Sequence, residues 1–322
     1  MDICSKYKRI NVCDKIKDIR EKTDDSSILL LLPVSIRDSF EKFISIDKLE
    51  EIRIRVNQCI SIYSRYGEEI LPKECEYIMT KSDIREIVEY ISGYSLYAYE
   101  EELKDGYITV RGGHRVGIAG KVVVDNGRIK NISNISSINI RVCHEIPGIS
   151  NSLSQYIYDG SIHNTLIISP PGVGKTTMLR DIVKLCSDEY KYKVSVIDER
   201  SEIAACYMGV PCNYIGKRTD VLDGCPKAEG IILAIRSLSP DILAVDEIGG
   251  SKDIEGLLHA FNCGVHVFAT VHGRNMDELK GKEYMKEILT NKRFTRYVVL
   301  GKSKGDRWLE VYNEDMKRID VA

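Results

Sequence analysis

Residues 165–177 read Thr-Leu-Ile-Ile-Ser-Pro-Pro-Gly-Val-Gly-Lys-Thr-Thr, and the stretch that follows carries Met178, Leu179, Ile182 and Val183 at helical spacing. Few local sequences restrict a fold so tightly. The apolar run is short and does not alternate with polar residues, as in a strand buried on both faces. The turn must therefore bring the carboxyl end of a buried strand straight to the amino end of a helix, where unpaired N–H groups and the helix dipole favour an anion. Gly172 and Gly174 let backbone amides turn inward around phosphate oxygens, with Pro171, Val173 and Thr177 completing the cradle. Lys175 is spaced to reach the β- and γ-phosphates, and the Thr176 hydroxyl to ligate Mg²⁺. The run departs from G-x-x-x-x-G-K-[ST] at one position, where Ser169 stands in place of the leading glycine. That puts the dihedrals of the first turn residue in question.

Two more apolar runs end in acidic pairs: Val194–Ile197 in Asp198-Glu199, and Ile242–Val245 in Asp246-Glu247. Four apolar residues followed by Asp is the Walker B pattern, whose carboxylate sits beside the phosphate cradle and holds Mg²⁺ through water. Asp246 and Asp198 are thus the acidic metal candidates beside Thr176. Glu247 and Glu199 are the candidates to polarise an attacking water. In sequence order a whole strand, Val194–Ile197, intervenes between the cradle and the Walker B run. That order resembles the additional-strand catalytic-glutamate division of P-loop proteins, whose members hydrolyse ATP. No LSGGQ-like signature is present, which disfavours the transporter branch of that division. Val265–Val271 leads to Thr270, His272 and Gly273; of these His272 is the stronger candidate to touch the γ-phosphate or the attacking water. Arg218 and Arg236, with Arg200 behind them, are candidates to stabilise charge on the transferring phosphate. Arg218 lies in Gly209–Asp223, whose weak periodicity reads as a mobile loop.

The β-branched runs alternate with helical stripes, one starting after Pro226 and one capped by Ser251 and ended by Gly264. This predicts an α/β fold: a RecA-like P-loop NTPase of the additional-strand type, its mostly parallel sheet covered on both faces. The half before residue 150 has another rhythm. A helical stripe (Ile36, Phe40, Phe43), a half-buried strand around Ile52–Val56, and a second stripe from Ile84 behind Ser82 precede short strands at Tyr107–Val110, Arg115–Ala119, Val122–Val124 and Ile138–Val142. Asn126-Gly127 suits a two-residue hairpin turn. Arg111, His114 and Arg115, set among glycines, read equally as a phosphate-facing loop or a hairpin rim. The predicted organisation is an arm over 1–25, a smaller α+β domain over 26–150 and the P-loop domain over 151–322.

Composition narrows the function. Lys and Arg total 46 against 48 Asp and Glu, a formal net charge of −2, so the average surface lacks the positive field of a general duplex binder. The longest apolar run, near Ile28–Leu32, falls well short of the ~20 residues that span a bilayer. Charges occupy the N-terminal stretch where a secretory apolar core would stand, so export is not expected. Ten cysteines without a C-x-x-C pair read as reduced thiols in a cytosol.

Longer motifs carry a family resemblance. VIDERSEIAA (196–205), GKRTDVLDGCPKAEG (216–230), IRSLSPDILAVDEIG (235–249) and ATVHG (269–273), with EIRIRVNQ (51–58), GGHRVGIAGKV (112–122) and INIRV (138–142), resemble the stage III sporulation protein AA family. That family lies within the secretion ATPase superfamily of type II and type IV secretion and pilus motors. The resemblance covers about residues 25–310. It likens Asp198-Glu199 to the Asp box, Asp246-Glu247 to the Walker B pair and His272 to the His box, and it favours Glu199 as base where general P-loop logic favours Glu247. It implies a ring-forming, hexameric ATP·Mg²⁺ hydrolase, cytoplasmic and peripheral to a membrane on the mother-cell side. Such a ring would energise a channel complex during endospore formation beside an inner-membrane platform-like partner. Hydrolysis is expected at a cleft between the two domains, completed by a neighbouring subunit. The alternative function is a nucleic-acid-dependent ATPase of helicase or helicase-loader type. Balanced charge argues against it, and no stable nucleic-acid partner is expected.

Overall fold

The alternation of Ile52 and Ile54 with Arg53 and Arg55 builds the strand expected there, β1 (Leu49–Arg55), with both isoleucines fully buried. The computed structural model that shows this describes residues 28–29, 31–33, 37, 49–64, 67–71, 77–92, 106–110, 112–125, 127–143, 148–303 and 306–319. The arm over 1–25, the stripe at Ile36, Phe40 and Phe43, and Arg111 lie outside the described residues. The chain divides into two compact units, Met1–His144 and Glu145–Ala322.

In the first unit β2 (Ile60–Ser64), β3 (Gly67–Leu71), β4 (Ile108–Val110), β5 (His114–Asp125) and β6 (Arg128–Arg141) join β1 in an antiparallel sheet ordered β3-β2-β1-β6-β5-β4. Helix α1 (Lys81–Ile91) contributes Ile84, Ile87, Val88 and Ile91 to the same core as Ile52, Val116, Ile138 and Ile140. The helix starts two residues earlier than its sequence suggests. Its cap is Thr80, not Ser82: Thr80 Oγ1 accepts the Asp83 amide at 3.3 Å while the Asp83 carboxylate accepts the Thr80 amide at 2.7 Å. This reciprocal pair satisfies two amides that Ser82, already helical, cannot serve. Arg115–Ala119 and Val122–Val124 are one strand, β5. A register shift after Ala119 keeps it continuous through Gly120, where an added Cβ would sit 2.6 Å from the Ser133 carbonyl oxygen. His114 is buried, and its Nδ1 accepts the Cys143 amide at 3.1 Å, so it belongs to the sheet rather than to a phosphate loop.

The second unit holds β7 (Thr165–Ser169), β8 (Val194–Asp198), β9 (Thr219–Asp223), β10 (Ile242–Val245), β11 (His266–His272), β12 (Arg296–Ser303), β13 (Asp306–Asn313) and β14 (Arg318–Ile319). Their order is β14-β13-β12-β7-β11-β10-β8-β9, parallel from β12 through β9 and antiparallel at β12–β13–β14. The strand lying between the cradle strand β7 and the Walker B strand β10 is β11. Strand β8, which intervenes in sequence, flanks β10 on its far side. Residues 219–223, expected within a mobile loop, form β9, which pairs along the whole of β8.

Alternate residues of each parallel strand feed opposite layers, which is why these runs carry no polar alternation. Ile167, Val196, Ala244 and Phe268 pack with Met178, Leu179 and Ile182 of α2 (Lys175–Asp188). Ile168, Ile197, Leu243, Val245 and Ala269 pack with Ile231 and Ala234 of α3 (Lys227–Ser237) and Ile254 and Leu257 of α4 (Ser251–Asn262). The cap of α4 is Gly250, and Ser251 is its first helical residue. Helix α3 approaches β8 through Gly230, where a Cβ would fall 2.6 Å from Ile197 Cγ2 and 3.0 Å from Cys225 Sγ. Gly230→Ala is therefore expected to lower stability by about 1–3 kcal/mol through overpacking. An unchanged midpoint in denaturant titration would show that α3 can withdraw from the sheet. No helix among the described residues is long and apolar enough to cross a membrane.

Candidate active site

The strand, loop and helix expected to form the cradle occur where the sequence places them. Ser169 ends β7 fully buried, outside the residues with positive φ, and its Oγ donates to the Pro170 carbonyl at 2.8 Å. The leading position is thus ordinary strand and needs no glycine. Gly172 (φ 74°) and Gly174 (φ 113°) do occupy the left-handed region that glycine enters without strain. Gly174 is the residue before α2, and no side chain caps that helix, which leaves its first amides to an anion. Val173 turns into the core beneath the loop while Pro171 and Gly172 are exposed.

Beside the cradle a hydrogen-bonded network joins strand ends to α2. Thr176 Oγ1 donates to Asp246 Oδ2 at 2.6 Å. Lys175, 7% exposed, donates from Nζ to Glu247 Oε2 at 3.2 Å and lies 3.8 Å from Asp246 Oδ1. The other Glu247 oxygen, Oε1, is 2.9 Å from His272 Nε2. Thr270, a weaker candidate than His272 on sequence alone, occupies the centre: its Oγ1 donates to Asp246 Oδ1 and accepts the Glu247 amide at 2.8 Å. Glu247 has φ 54°, a conformation that costs a non-glycine residue on the order of 1 kcal/mol or more. Thr270 pins that backbone in place. Burial works to raise the Glu247 carboxyl, but the Lys175 ammonium and its hydrogen bond, with His272 and Arg200, hold it below the ordinary carboxylate range. His272 Nδ1 is buried without a partner.

The oxygen donors Thr176 and Asp246 suit a hard cation. Among the described residues no three His, Cys, Asp or Glu side chains gather as a metal cage. Mg²⁺ is a hard cation that takes one or two protein oxygens beside waters and substrate phosphates.

Asp198 ends β8 beside Asp246 and lines the same cleft, but its oxygens are occupied by backbone amides. Its Oδ1 accepts the Glu202 amide at 2.8 Å, and its Oδ2 accepts Ile203 and Ala204 at 2.9 and 2.8 Å. Buried Arg180 of α2 takes the carbonyls of the same loop, Ile203 from Nε at 2.6 Å and Glu202 from Nη2 at 2.7 Å. Donors and acceptors of residues 202–204 are thus held from both sides, which fixes the loop that presents Glu199 and Arg200. Sequence patterning does not single out Arg180, although its place in the α2 stripe, among buried positions, is a signal. Burial drives the Asp198 carboxyl up to about 6 against the three amides. Its native value lies above the unfolded one, so the stability it contributes is present below pH ~4 and lost as pH rises through ~6. Denaturant titration in metal-free buffer is expected to show that decline. Asp198→Asn is expected to abolish it and to lie about 1–3 kcal/mol lower at neutral pH, because an NH₂ group then faces backbone donors.

Glu199 is paired with Lys227, and both line a cleft of about 170 Å³ with Arg200, Asp246 and Glu247. The two other arginines stand elsewhere. Arg218 donates from Nη1 to the Ser187 carbonyl at 2.9 Å, which at ~1.5 Å per residue is roughly 18 Å along α2 from Lys175. Arg236 is exposed in the last turn of α3, roughly 13 Å along that helix from Lys227 on the same scale. Neither joins the network of its own chain.

A family model described as "Sporulation stage III, protein AA" matches residues 21–319. Over 273 residues the sequence is 43% identical to "Stage III sporulation protein AA" of Bacillus subtilis (strain 168), covering 83% of this chain and 88% of that protein. Among solved structures the fold is similar to the ATPase DotB of Legionella pneumophila, at TM-score 0.57 and 15% identity over 88% of this chain and 82% of that one. It is also similar to the pilus retraction motor PilT with bound ADP, at TM-score 0.59 and 15% identity over 86% and 80%. At these identities the likeness is one of fold, and it is the P-loop fold expected from the sequence.

Proposed function

The chain belongs to the stage III sporulation protein AA family, and from that premise we propose that it is a secretion-type ATPase that forms a ring, a hexamer by the family resemblance. We read it as peripheral to a membrane on the mother-cell side, working with an inner-membrane platform-like partner to power assembly of, or transport through, a sporulation channel. The observation that carries the enzymatic part is the network joining Lys175, Glu247 and His272 beside Thr176, Asp246 and Thr270.

In this reading the phosphates of ATP seat on the amides of residues 172–177, and the Lys175 ammonium transfers from Glu247 to the phosphate oxygens. Glu247, held ionised by its cationic neighbours, takes a proton from the attacking water. The water oxygen bonds to the γ-phosphorus as the bond to the bridging oxygen breaks and ADP departs. His272 orients the Glu247 carboxylate and Thr270 its backbone. Mg²⁺, held by Thr176 and Asp246, would draw charge from the β/γ oxygens. Glu247 is the base in preference to Glu199, because Glu199 is tied to Lys227 outside this network. Asp198 serves as the anchor of the 202–204 loop. An action of Arg218 or Arg236 is reserved for the site of a neighbouring subunit.

Phosphate release from ATP by the full chain with Mg²⁺, together with mass in solution with and without nucleotide, tests this reading. Absence of turnover defeats it. Turnover that requires single-stranded nucleic acid and vanishes at high salt replaces it with the helicase-type alternative.

A further inference from the structure

Strand β12 runs parallel to β7, so its carboxyl end and the start of antiparallel β13 lie at the same end of the sheet as the phosphate cradle. Which way the first residues of β13 face is fixed from both sides. Val311 belongs to the cluster containing Met178 and Leu179, and Leu309 packs against it. Trp308 lies on the opposite face across Gly301, so closely that a Cβ on that glycine would fall 2.0 Å from the indole. Side chains alternate along a strand, so Arg307, two residues before Leu309, projects toward α2. Its guanidinium reaches the cradle itself: a Cβ added to Gly174 would sit 3.7 Å from Arg307 Nη1.

The charge balance at this place is uneven. Lys175 is neutralised by Glu247 and Asp246, whereas the Arg307 guanidinium forms no ion pair with another described side chain. Its direct cross-strand neighbour is Lys302, a second exposed cation, and like charges placed opposite each other destabilise a strand pair. An arrangement that is locally unfavourable and sits at a functional cleft points to a missing counter-charge. A guanidinium offers parallel N–H donors matched to phosphate oxygens.

We propose that Arg307 is a binding residue for the α- and β-phosphates of the nucleotide, supplied by the same chain that forms the cradle, with Lys302 strengthening the local positive field. The assignment rests on the ATPase reading above and adds to it a phosphate contact from outside the P-loop. Arg307 is exposed, so its replacement leaves the core intact.

Titration of the full chain with fluorescently labelled ATP and ADP in the presence of Mg²⁺ tests it in wild type, Arg307→Ala and Arg307→Lys. For the alanine variant the expected result is on the order of tenfold weaker binding of both nucleotides. KM for ATP should rise in parallel while kcat at saturation stays within about threefold, because the contact exists before and after bond cleavage. The lysine variant should fall between the two, and the nucleotide-free melting temperature of the alanine variant should not fall, because the change removes the repulsion from Lys302. Wild-type binding that Arg307→Ala leaves unchanged within about twofold overturns the proposal and leaves the ATPase reading standing. A loss confined to ATP overturns the assignment to the α/β pair. Wild type that binds neither nucleotide overturns both.

Discussion

Glutamine in place of Glu247 is expected to lower kcat by about 10²–10⁴, the usual contribution of a positioned general base, while nucleotide binding survives or tightens. The two effects have separate causes. A neutral amide cannot accept the proton of the attacking water, so the chemical step slows. The same change releases Lys175, whose Nζ lies 3.2 Å from Glu247 Oε2, so the ammonium no longer has to leave a carboxylate before it meets phosphate. Glu199→Gln is the necessary companion. Glu199 is engaged by Lys227 rather than by the cradle, and its variant is expected to retain turnover within about tenfold, as for a group outside the bond-making step. Single-turnover hydrolysis with parallel binding titration checks both. If Glu199→Gln proves the more damaging and Glu247→Gln nearly silent, the assignment of the base is reversed.

Lys175→Ala is expected to weaken ATP binding by roughly 10²–10³, from loss of a charge-assisted contact at a largely buried position. Its consequences extend to the nucleotide-free protein. Without the ammonium, Asp246 and Glu247 remain as adjacent carboxylates with His272 beside Glu247, and like charges at close range repel each other. The variant should therefore keep its fold by circular dichroism yet lose some stability at neutral pH. Lys175→Ala combined with Glu247→Gln should recover that stability without recovering binding. Recovery of binding in the double variant would mean that Lys175 serves only to neutralise Glu247.

Much of the site is legible in the amino-acid sequence because its chemistry is local. Strand, two glycines, lysine and threonine follow one another within a dozen residues, and each glycine proves to hold a backbone conformation that other residues resist. Ser169 can stand at the leading position for an equally local reason, since that residue is plain strand. The arginines are a different case, because local chemistry does not place them. Arg218 and Arg236 are close in sequence to acidic motifs, but parallel strands and their helices carry residues from one end of the sheet to the other within a few turns. Proximity along the chain therefore says little about which end a side chain occupies. Arg307 is invisible to motif reading because the β12–β13 hairpin returns to the cradle more than a hundred residues later.

The amino-acid sequence by itself determined the phosphate cradle, the buried parallel strands and the acidic pairs at their ends, because glycine conformation, helix initiation and unbroken apolar runs act over a few residues. Only the tertiary structure decided which carboxylate takes the Thr176 hydroxyl and which holds the amides of a loop. It also set β11 rather than β8 beside β7 and made Thr270 the centre of the network. Those outcomes depend on strand order and on pairings between residues far apart in the chain, such as Thr176 with Asp246. No local preference encodes them, since each arises only when several elements satisfy their buried polar groups together.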